Sequence, residues 1–536
     1  MAGNEVMRYA RPMDRLSGLS LAFVSLAACH SGNGNAAGAG GAGGQGGFPE
    51  ADTTASLSVD TTAPIATIDE RYLSFAVDTA QVVGGLFWSA EPVQQLIGQE
   101  RQPVYDFGRP RLRALAAELA PAFLRIGGSD ADRVFYDMTD EPIAEEDLSE
   151  GFEFVLTAKQ VDGIFEFSEA LGFDVMFTLS AGPGVRDEQG GWTPDMASDL
   201  LEYVTTNQYE VTLWELGNEW DRFEIILGVS GRPEVAIPAF AALRELLGEF
   251  QEDFRLGGTS GAYWPSIGEL IPTFGPFMEA GGGSSLDVVT WHYYPTQSER
   301  GGVLRTDPWE RGILLDPEQL DIALKWADDV IAHRDAYAPT LPVWLGESGH
   351  AQFGGQPGAS DAFEGTLWWL DQLGALATRN IQVSVRQTLS GSNYGLLDDV
   401  TLDPRPDYWA SVLWRRLMGG RVLDVGRTDA SDLVRVYAHC SYGRPGAVTV
   451  LAINLDADHS VSIEVDGLST ANKELYLLTS EGLDSHDIML NGAILRDEDG
   501  ELPVLGPELV GDGPAVVPSL GIAFIVYPDA DAPACR

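Results

Sequence analysis

Two short segments of the sequence each place a glutamate at the end of an apolar run. One is LWELGNEW at 213–220, which carries Glu219, and the other is VWLGES at 343–348, which carries Glu347. Residues just past the C-terminal ends of the strands in a parallel barrel meet at one mouth, even when they are far apart in sequence. Two carboxylates in that position can flank a glycosidic bond, one as acid/base and the other as nucleophile. The pattern therefore predicts sugar-cleaving chemistry carried by Glu219 and Glu347.

Polar residues beside this pair could position a sugar or orient a carboxylate. Asn218 could hydrogen-bond a sugar hydroxyl, and either Tyr293 or Tyr294 could donate a hydrogen bond to Glu347 and so stabilise its charged form. Glu215 is a competing carboxylate, but we expect its side chain to face a polar neighbour inside the barrel.

The residues also bear on metal and cofactor use. No group of His, Cys and carboxylate residues has the spacing typical of a catalytic metal site. His292 is expected to be a packed imidazole rather than a proton shuttle. Because two carboxylates and water suffice for glycoside hydrolysis, we predict neither a metal nor a cofactor.

Strands and helices alternate along most of the chain. Candidate strands lie at 73–77, 123–126, 175–179, 211–216, 255–258, 288–292, 343–345 and 383–386, with helices at 111–119, 158–171, 236–250, 319–333 and 363–378. This alternation predicts an α/β fold, a (β/α)8 TIM barrel. From about residue 422 the pattern changes to short alternating strands, which predicts a C-terminal β-sandwich domain. One more strand is expected before the barrel, within 55–68.

Size and charge restrict the possible substrates. The 536 residues suffice for a barrel and one small companion domain. Lys and Arg number 33 against 80 acidic residues, a net charge of −47, which argues against nucleic acid as a partner. A sulfated polysaccharide would need a basic cleft, so a weakly charged or terminal-sugar substrate fits better.

The N-terminal segment is typical of an exported protein. Arginines precede an apolar run at 16–28 that is too short to span a bilayer and fits a secretory signal. Small residues directly before Cys29 resemble the bacterial lipoprotein box, which predicts a signal at 1–29 and lipidation of Cys29; an ordinary signal peptide cut nearby is the alternative. A Gly-rich flexible tether is predicted at 30–50. The protein is therefore expected at the bacterial cell envelope, anchored by lipid to the outer membrane or the cell surface.

Two further cysteines lie in the C-terminal part of the chain. An oxidising export compartment would permit a disulfide between Cys440 and Cys535. The sequence does not show whether their positions meet.

Several ordered motifs resemble glycoside hydrolase family 79, the heparanase and β-glucuronidase family of clan A. They are LRIGGS at 124–129, ELGNE at 215–219, TWHYY at 290–294, WLGES at 344–348, RQ at 386–387 with NY at 393–394, and PDYW at 406–409. The resemblance implies a retaining mechanism with Glu219 as acid/base and Glu347 as nucleophile. It also implies a barrel at 73–420 and a β-sandwich at 421–536 that takes an N-terminal strand from 51–72.

The resemblance further implies a set of substrate-binding residues. The uronic carboxylate would be held by backbone amides of Gly354 and Gly355 and by Tyr394, although the two glycines could merely form a turn. The hydroxyls of the terminal sugar would contact a second group of residues, namely Asp78, Ser129 and Gln387.

Departures from the family's animal enzymes favour one activity. There is little room between residues 77 and 123 for an excised linker, and few basic residues follow strands four and six. We therefore predict release of terminal β-linked glucuronic acid, or its 4-O-methyl form, from a glycan. The alternatives are an endo-β-glucuronidase acting on an acidic, heparan-like polysaccharide and a non-catalytic sugar-binding surface lipoprotein.

Overall fold

The computed structural model describes residues 51–89, 98–251, 253–301 and 305–536. The predicted signal, the tether and Cys29 lie outside these described residues. Within them, no helix is both long enough and apolar enough to cross a membrane.

Eight parallel strands close into a barrel, each paired with the next along the chain and the eighth paired with the first. They are β1 Leu73–Asp78, β2 Ala122–Gly127, β3 Phe173–Leu179, β4 Val211–Leu216, β5 Leu256–Tyr263, β6 Val288–Tyr293, β7 Val343–Ser348 and β8 Ser384–Arg386. Each of the eight predicted strands overlaps one of these, so the predicted barrel is confirmed.

Helices follow the barrel strands. They are Thr79–Val83, Pro110–Ala117, Ala158–Leu171, Asp195–Thr206, Phe223–Ile226, Pro233–Phe250, Phe274–Glu279, Pro317–Leu320, Ile322–Tyr337, Phe363–Thr378 and Pro406–Leu417. The local sequence explains their limits. Ala158–Leu171, for example, begins at a capping box formed by Thr157 and Gln160 and ends at Gly172 in the left-handed conformation.

The barrel interior has an apolar layer and a charged layer. Phe123 and Leu213 belong to an apolar cluster inside the barrel. Because side chains two apart along a strand share a face, Arg125 and Glu215 also point inward, one step nearer the C-terminal ends of β2 and β4. The apolar layer therefore fills the lower barrel and leaves the upper part polar.

Two sheets form the β-sandwich. One has the order Val425–Asp429, Thr53–Val59, Val461–Asp466, Ala515–Val517. The other has the order Ala66–Thr67, Met418–Leu423, Val434–Ser441, Val448–Asn454, Ile522–Tyr527, Glu474–Thr479, Met489–Leu490, Ala493–Ile494, with Glu508–Leu509 paired to Glu474–Thr479. Thr53–Val59 is thus the N-terminal strand that the sandwich was expected to take.

Two smaller strand pairs lie outside the barrel and the sandwich. One, called here the Trp88 strand pair, lies between β1 and β2 in the chain and joins Leu86–Trp88 to Gln99–Arg101 in antiparallel pairing. The other joins Val134–Asp137 to Phe154–Thr157 in parallel pairing. The Trp88 strand pair follows β1 and is therefore on the side of the barrel where the strands end.

Covalent and ionic contacts hold the sandwich in place. Cys440 and Cys535 form a disulfide, the pairing that the sequence left open. Asp371, on the helix after β7, accepts hydrogen bonds from Arg435 at 2.7 Å and from the Tyr437 hydroxyl at 2.6 Å. The barrel and the sandwich therefore share a buried polar contact.

Candidate active site

Glu347 lies near the end of β7 with both carboxylate oxygens hydrogen-bonded. Its Oε2 accepts from Nη1 of Arg125 at 2.8 Å, and its Oε1 accepts from the Tyr294 hydroxyl at 2.7 Å. The residue is only 6% exposed. Arg125 belongs to β2 and Tyr294 directly follows β6, and together they fix the direction in which the carboxylate points.

Glu219 follows β4 on a sharp turn. Gly217 and Glu219 both have positive φ, 68° and 61°, and this turns the Glu219 side chain back over the end of the barrel. Its Oε2 contacts Arg222 at 2.9 Å, and its Oε1 lies 3.3 Å from Nδ1 of His292. Burial raises the pKa of Glu219, and the charges of Arg222 and Arg125 reduce this effect without cancelling it.

The two glutamates approach each other closely. One oxygen of Glu219, one oxygen of Glu347 and a ring nitrogen of His292 all lie within 4.8 Å of one another. This group could by type hold a divalent cation, but Arg125 and Arg222 already neutralise the same carboxylates. Burial lowers the pKa of His292 to about 4, which leaves the ring neutral at ordinary pH.

Glu215, the competing carboxylate, is part of the support beneath the site. It is fully buried and accepts hydrogen bonds from Arg125 at 2.8 Å, Ser260 at 2.8 Å and Thr178 at 2.9 Å. Burial opposes its ionisation most strongly, but the positive charge of Arg125 and the hydrogen bonds from Arg125 and Ser260 together outweigh burial and lower the pKa of Glu215. Its role is to hold Arg125, in line with the expected inward-facing position.

Asn218 is held on both its backbone and its side chain. Its Oδ1 accepts from Nη2 of Arg125 at 3.0 Å, and its amide N–H donates to Oδ2 of Asp132 at 2.9 Å. Asp132 also accepts from the Ala181 amide at 2.8 Å, and burial raises its pKa to about 7. Asp132 thus fixes the turn that carries Glu219.

Asp78 lies near Glu347, at the end of β1. It is buried and accepts from Nε2 of Gln387 at 2.8 Å. Burial, with the nearby charge of Glu347, raises its pKa to about 8. Gly128, at φ 103°, permits this arrangement, because a Cβ there would lie 2.2 Å from an Asp78 oxygen. Ser129, predicted to bind the same sugar, is exposed at the start of the next turn.

The predicted carboxylate-binding loop adopts a conformation that requires glycine. Gly354 and Gly355 both have φ of 82°. The Gly355 amide donates to the Ala351 carbonyl at 3.0 Å, whereas among the described residues the Gly354 amide has no hydrogen-bond acceptor. Tyr394 lies within the same group, with its ring centroid 6.4 Å from that of Tyr294. The structure therefore brings Gly354, Gly355 and Tyr394 together but leaves one amide, not two, for a ligand.

The two tyrosines predicted as partners of Glu347 point in opposite directions. Tyr294 donates to Glu347, as stated above. Tyr293 is packed in the core beside Trp291, and within the described part of the chain its buried hydroxyl has no hydrogen-bond partner. The structure therefore does not bring Tyr293 to Glu347, because alternate residues of a strand face opposite sides and β6 directs His292 inward and Tyr293 outward.

Sequence reasoning did not assign roles to three charged residues of the site. Arg125 and Arg222 each contact a catalytic candidate, and Asp132 orients Asn218. A signal for Arg125 was present, since a lone arginine in the apolar strand AFLRIG needs buried carboxylates as partners.

Comparison with known proteins identifies the family. Residues 104–374 match the family described as Glycosyl hydrolase family 79, N-terminal domain. Heparanase-like protein 1 of Arabidopsis thaliana is 32% identical over 489 residues, which cover 80% of this chain and 86% of that protein. Heparanase of Bos taurus is 29% identical over 546 residues, which cover 90% of this chain and 93% of the relative.

Solved structures share the fold. A 4-O-α-L-rhamnosyl-β-D-glucuronidase from Fusarium oxysporum superposes with a TM-score of 0.61 at 15% identity, over 88% of this chain and 99% of the other. At that identity the likeness shows the fold alone. The family match and the identity to the plant relative carry the assignment further: the chain belongs to glycoside hydrolase family 79 and is a glycoside hydrolase.

Proposed function

We propose that the protein is a retaining β-glucuronidase that releases a terminal glucuronic acid, or its 4-O-methyl form, from a glycan. The observation that carries the proposal is the approach of Glu219 and Glu347 to within 4.8 Å. Retaining enzymes hold their two carboxyl groups about 5 to 5.5 Å apart, whereas inverting enzymes need about 6.5 to 9.5 Å to admit a water molecule. The short separation supports retention.

The surroundings of the two glutamates support different roles. Burial raises the pKa of Glu219, which favours the protonated form that a general acid needs. Glu347 receives hydrogen bonds from Arg125 and Tyr294, which orient it for attack. Glu347 would form a bond to the anomeric carbon while Glu219 protonates the departing oxygen. Glu219 would then take a proton from water, whose oxygen displaces Glu347 from the sugar.

Two features support a uronic acid as the sugar. Gly354 presents a backbone N–H beside Tyr394, a combination that suits a carboxylate better than a hydroxymethyl group. The buried Asp78 and Gln387 offer polar atoms to the sugar hydroxyls, and Oε1 of Gln387 has no hydrogen-bond partner within the described ranges. We infer that this group of residues surrounds the terminal sugar.

The Trp88 strand pair, Leu86–Trp88 with Gln99–Arg101, supports exo rather than endo cleavage. Trp88 packs against Phe353, next to the glycine pair, with ring centroids 5.7 Å apart. Phe87 packs against Tyr394 at 6.3 Å. If the Trp88 strand pair covers the sugar pocket on the side of Phe353 and Tyr394, the pocket would accept the end of a glycan chain and would obstruct a polysaccharide that continues beyond it.

The relatives favour a second candidate. Several curated relatives are named heparanase, at 28–30% identity, which supports endo cleavage of an acidic polysaccharide. The excess of acidic residues in this chain argues against a strongly sulfated substrate. A non-catalytic sugar-binding role is less consistent with the complete hydrogen bonding around Glu219 and Glu347.

Export and lipid anchoring at Cys29 remain part of the proposal. They rest on the sequence before residue 30. The disulfide between Cys440 and Cys535 supports an oxidising compartment, because such bonds are rare in the cytosol.

Hydrolysis of p-nitrophenyl β-D-glucuronide tests the proposal. The protein should release p-nitrophenol, and both Glu219→Gln and Glu347→Gln should abolish turnover. Glu310→Gln, an exposed glutamate in the loop after β6, should not change it. Proton NMR should show the β-anomer of glucuronic acid first; the α-anomer would contradict retention. Cleavage of a polysaccharide into long fragments without monomer would favour the endo alternative.

A further inference from the structure

A buried ion pair joins β8 to the helix that follows it. Arg386, the last residue of β8, donates from Nη2 to Oδ2 of Asp407, which lies in the first turn of that helix. Both residues are almost completely buried, with exposures of 0% and 1%. They come from two separate motifs of the sequence, RQ at 386–387 and PDYW at 406–409.

The guanidinium of Arg386 also holds the backbone of Tyr394. Its Nε donates to the Tyr394 carbonyl at 3.1 Å. The amide of the preceding residue, Asn393, donates to the Gly354 carbonyl at 2.9 Å. The chain at 393–394 is therefore fixed between β8 and the glycine loop, and these two bonds determine where the ring of Tyr394 lies.

Stability alone does not explain the burial of this pair. Replacing a buried ion pair with apolar residues is often neutral or stabilising, because the cost of desolvation offsets the attraction. Within the described residues, Nη1 of Arg386 and Oδ1 of Asp407 have no hydrogen-bond partner, so the pair does not satisfy all of its own polar atoms. The guanidinium also packs over the rings of Trp368 and Trp369, at 5.0 and 5.1 Å from their centroids. The carboxylate and the two rings fix its plane, and that plane directs Nε at the Tyr394 carbonyl.

Arg386 and the next residue, Gln387, face opposite sides of the barrel wall. Gln387 points inward and donates from Nε2 to Asp78 at 2.8 Å, in the group proposed to surround the sugar. Arg386 points outward to the helices and reaches the same group from behind, through the backbone of Tyr394. Because Asp407 pairs with its charge, Arg386 acts on the sugar through the position of Tyr394 and not through its own charge.

We propose that Arg386, held by Asp407, positions Tyr394 for recognition of the uronic carboxylate. This inference rests on the proposed glucuronidase function and adds to it a positioning residue. The carboxylate at C6 takes no part in bond breaking. A displaced Tyr394 would therefore weaken the ground state and the transition state alike, and KM should rise more than kcat falls.

Removing both charges together tests this role in the full chain. Arg386→Met combined with Asp407→Leu leaves no unpaired buried charge but removes the donor to the Tyr394 carbonyl. On p-nitrophenyl β-D-glucuronide, kcat/KM should fall by roughly tenfold or more, mainly through KM, because small misplacements near a substrate are costly. On p-nitrophenyl β-D-glucoside, which lacks the carboxylate, the loss should be clearly smaller. The matched control is Arg435→Met combined with Asp371→Leu, a buried pair between barrel and sandwich, which should leave the ratio of the two activities unchanged.

Coupling to Tyr394 distinguishes positioning from general support. Tyr394→Phe removes the hydroxyl that the pair is proposed to position. Adding it to the double variant should therefore lower kcat/KM for the glucuronide by less than the product of the two separate effects. Effects that multiply would show that the pair acts independently of Tyr394 and would overturn the inference, as would an unchanged ratio of the two activities in the double variant.

A second variant serves if the double variant does not fold. Arg386→Lys keeps the charge that Asp407 requires but lacks the planar fork that addresses Asp407 and the Tyr394 carbonyl together. The ratio of glucuronide to glucoside activity should still fall, and a wild-type ratio in this variant would overturn the inference while the proposed function stands. A wild-type enzyme that does not prefer the glucuronide would refute the proposed function, and this inference with it.

Discussion

The hydroxyl of Tyr294 lies 2.7 Å from Oε1 of Glu347 and donates a hydrogen bond to it. With Arg125 on Oε2, both oxygens of the proposed nucleophile are fixed before a substrate arrives. A carboxylate oriented in advance needs little rearrangement when it attacks. The adjacent Tyr293 makes no such contact, so the two neighbouring tyrosines provide an internal comparison.

Removing the Tyr294 hydroxyl should impair turnover. Tyr294→Phe should lower kcat on p-nitrophenyl β-D-glucuronide by about tenfold to a hundredfold, because a hydrogen bond to a charged group is lost. Tyr293→Phe is the matched control and should change kcat less than about twofold, since its buried hydroxyl has no hydrogen-bond partner among the residues that the structure describes. Steady-state kinetics and thermal melting of both variants check this. Similar losses in the two variants would contradict the assignment.

The pH profile should respond to Arg222. Glu219 must be protonated to act as the acid, so kcat/KM should fall as the pH rises through its raised pKa. Arg222 favours the charged form of Glu219 and holds its pKa down. Arg222→Met should therefore raise that pKa and move the basic limb of the profile to higher pH.

The measurement is kcat/KM against pH. Arg232→Met serves as the control, because Arg232 follows the same strand but pairs with Glu224 at the surface. A basic limb that moves to lower pH, or an equal shift in both variants, would remove Arg222 from this role.

The fold could be predicted from local patterns, and so could the approach of two glutamates. Strand and helix alternation identified all eight barrel strands, and glutamates near two strand ends pointed to Glu219 and Glu347, which the structure brings to within 4.8 Å of each other. The helix Pro233–Phe250 begins earlier than the predicted 236, because Pro233 is well suited to the first turn.

The connections within the site could not be predicted in the same way. Arg125 binds Glu215 and Glu347, which are 90 and 222 residues away. Such pairings depend on which side chains the closed barrel brings together. The distinction between Tyr293 and Tyr294 depended on strand register, which fixes the face on which each side chain lies. The bond from Gly355 to Ala351 depends on loop geometry that sequence does not specify.

Gly128 should be intolerant of a side chain. A Cβ there would lie 2.2 Å from Asp78 Oδ2, in a backbone conformation at φ 103°. Gly128→Ala should displace Asp78 and lower kcat/KM by at least about tenfold, because small misplacements near a substrate are costly. Gly172→Ala is the control: its φ is also positive, at 72°, but within the described part of the chain no atom beyond its own chain neighbours lies within 4 Å of a Cβ there.

The control separates strain from displacement. Gly172→Ala should lose about 1 kcal/mol of unfolding free energy through backbone strain and keep its activity. Urea denaturation and kinetics on both variants measure the two effects. Full activity in Gly128→Ala would show that the sugar pocket does not depend on the position of Asp78.

The disulfide should stabilise the protein without affecting the chemistry. Cys440 and Cys535 are 95 residues apart, so the bond restricts a long loop of the unfolded chain. The double variant Cys440→Ser, Cys535→Ser should lose about 2 to 4 kcal/mol of unfolding free energy. Its kcat at 25 °C should stay unchanged, because the bond lies in the sandwich and contacts neither Glu219 nor Glu347. Urea denaturation with and without reductant measures the effect. Reductant should destabilise the wild type and leave the double variant unaltered. A wild-type urea midpoint that does not change with reductant would contradict the stabilising role.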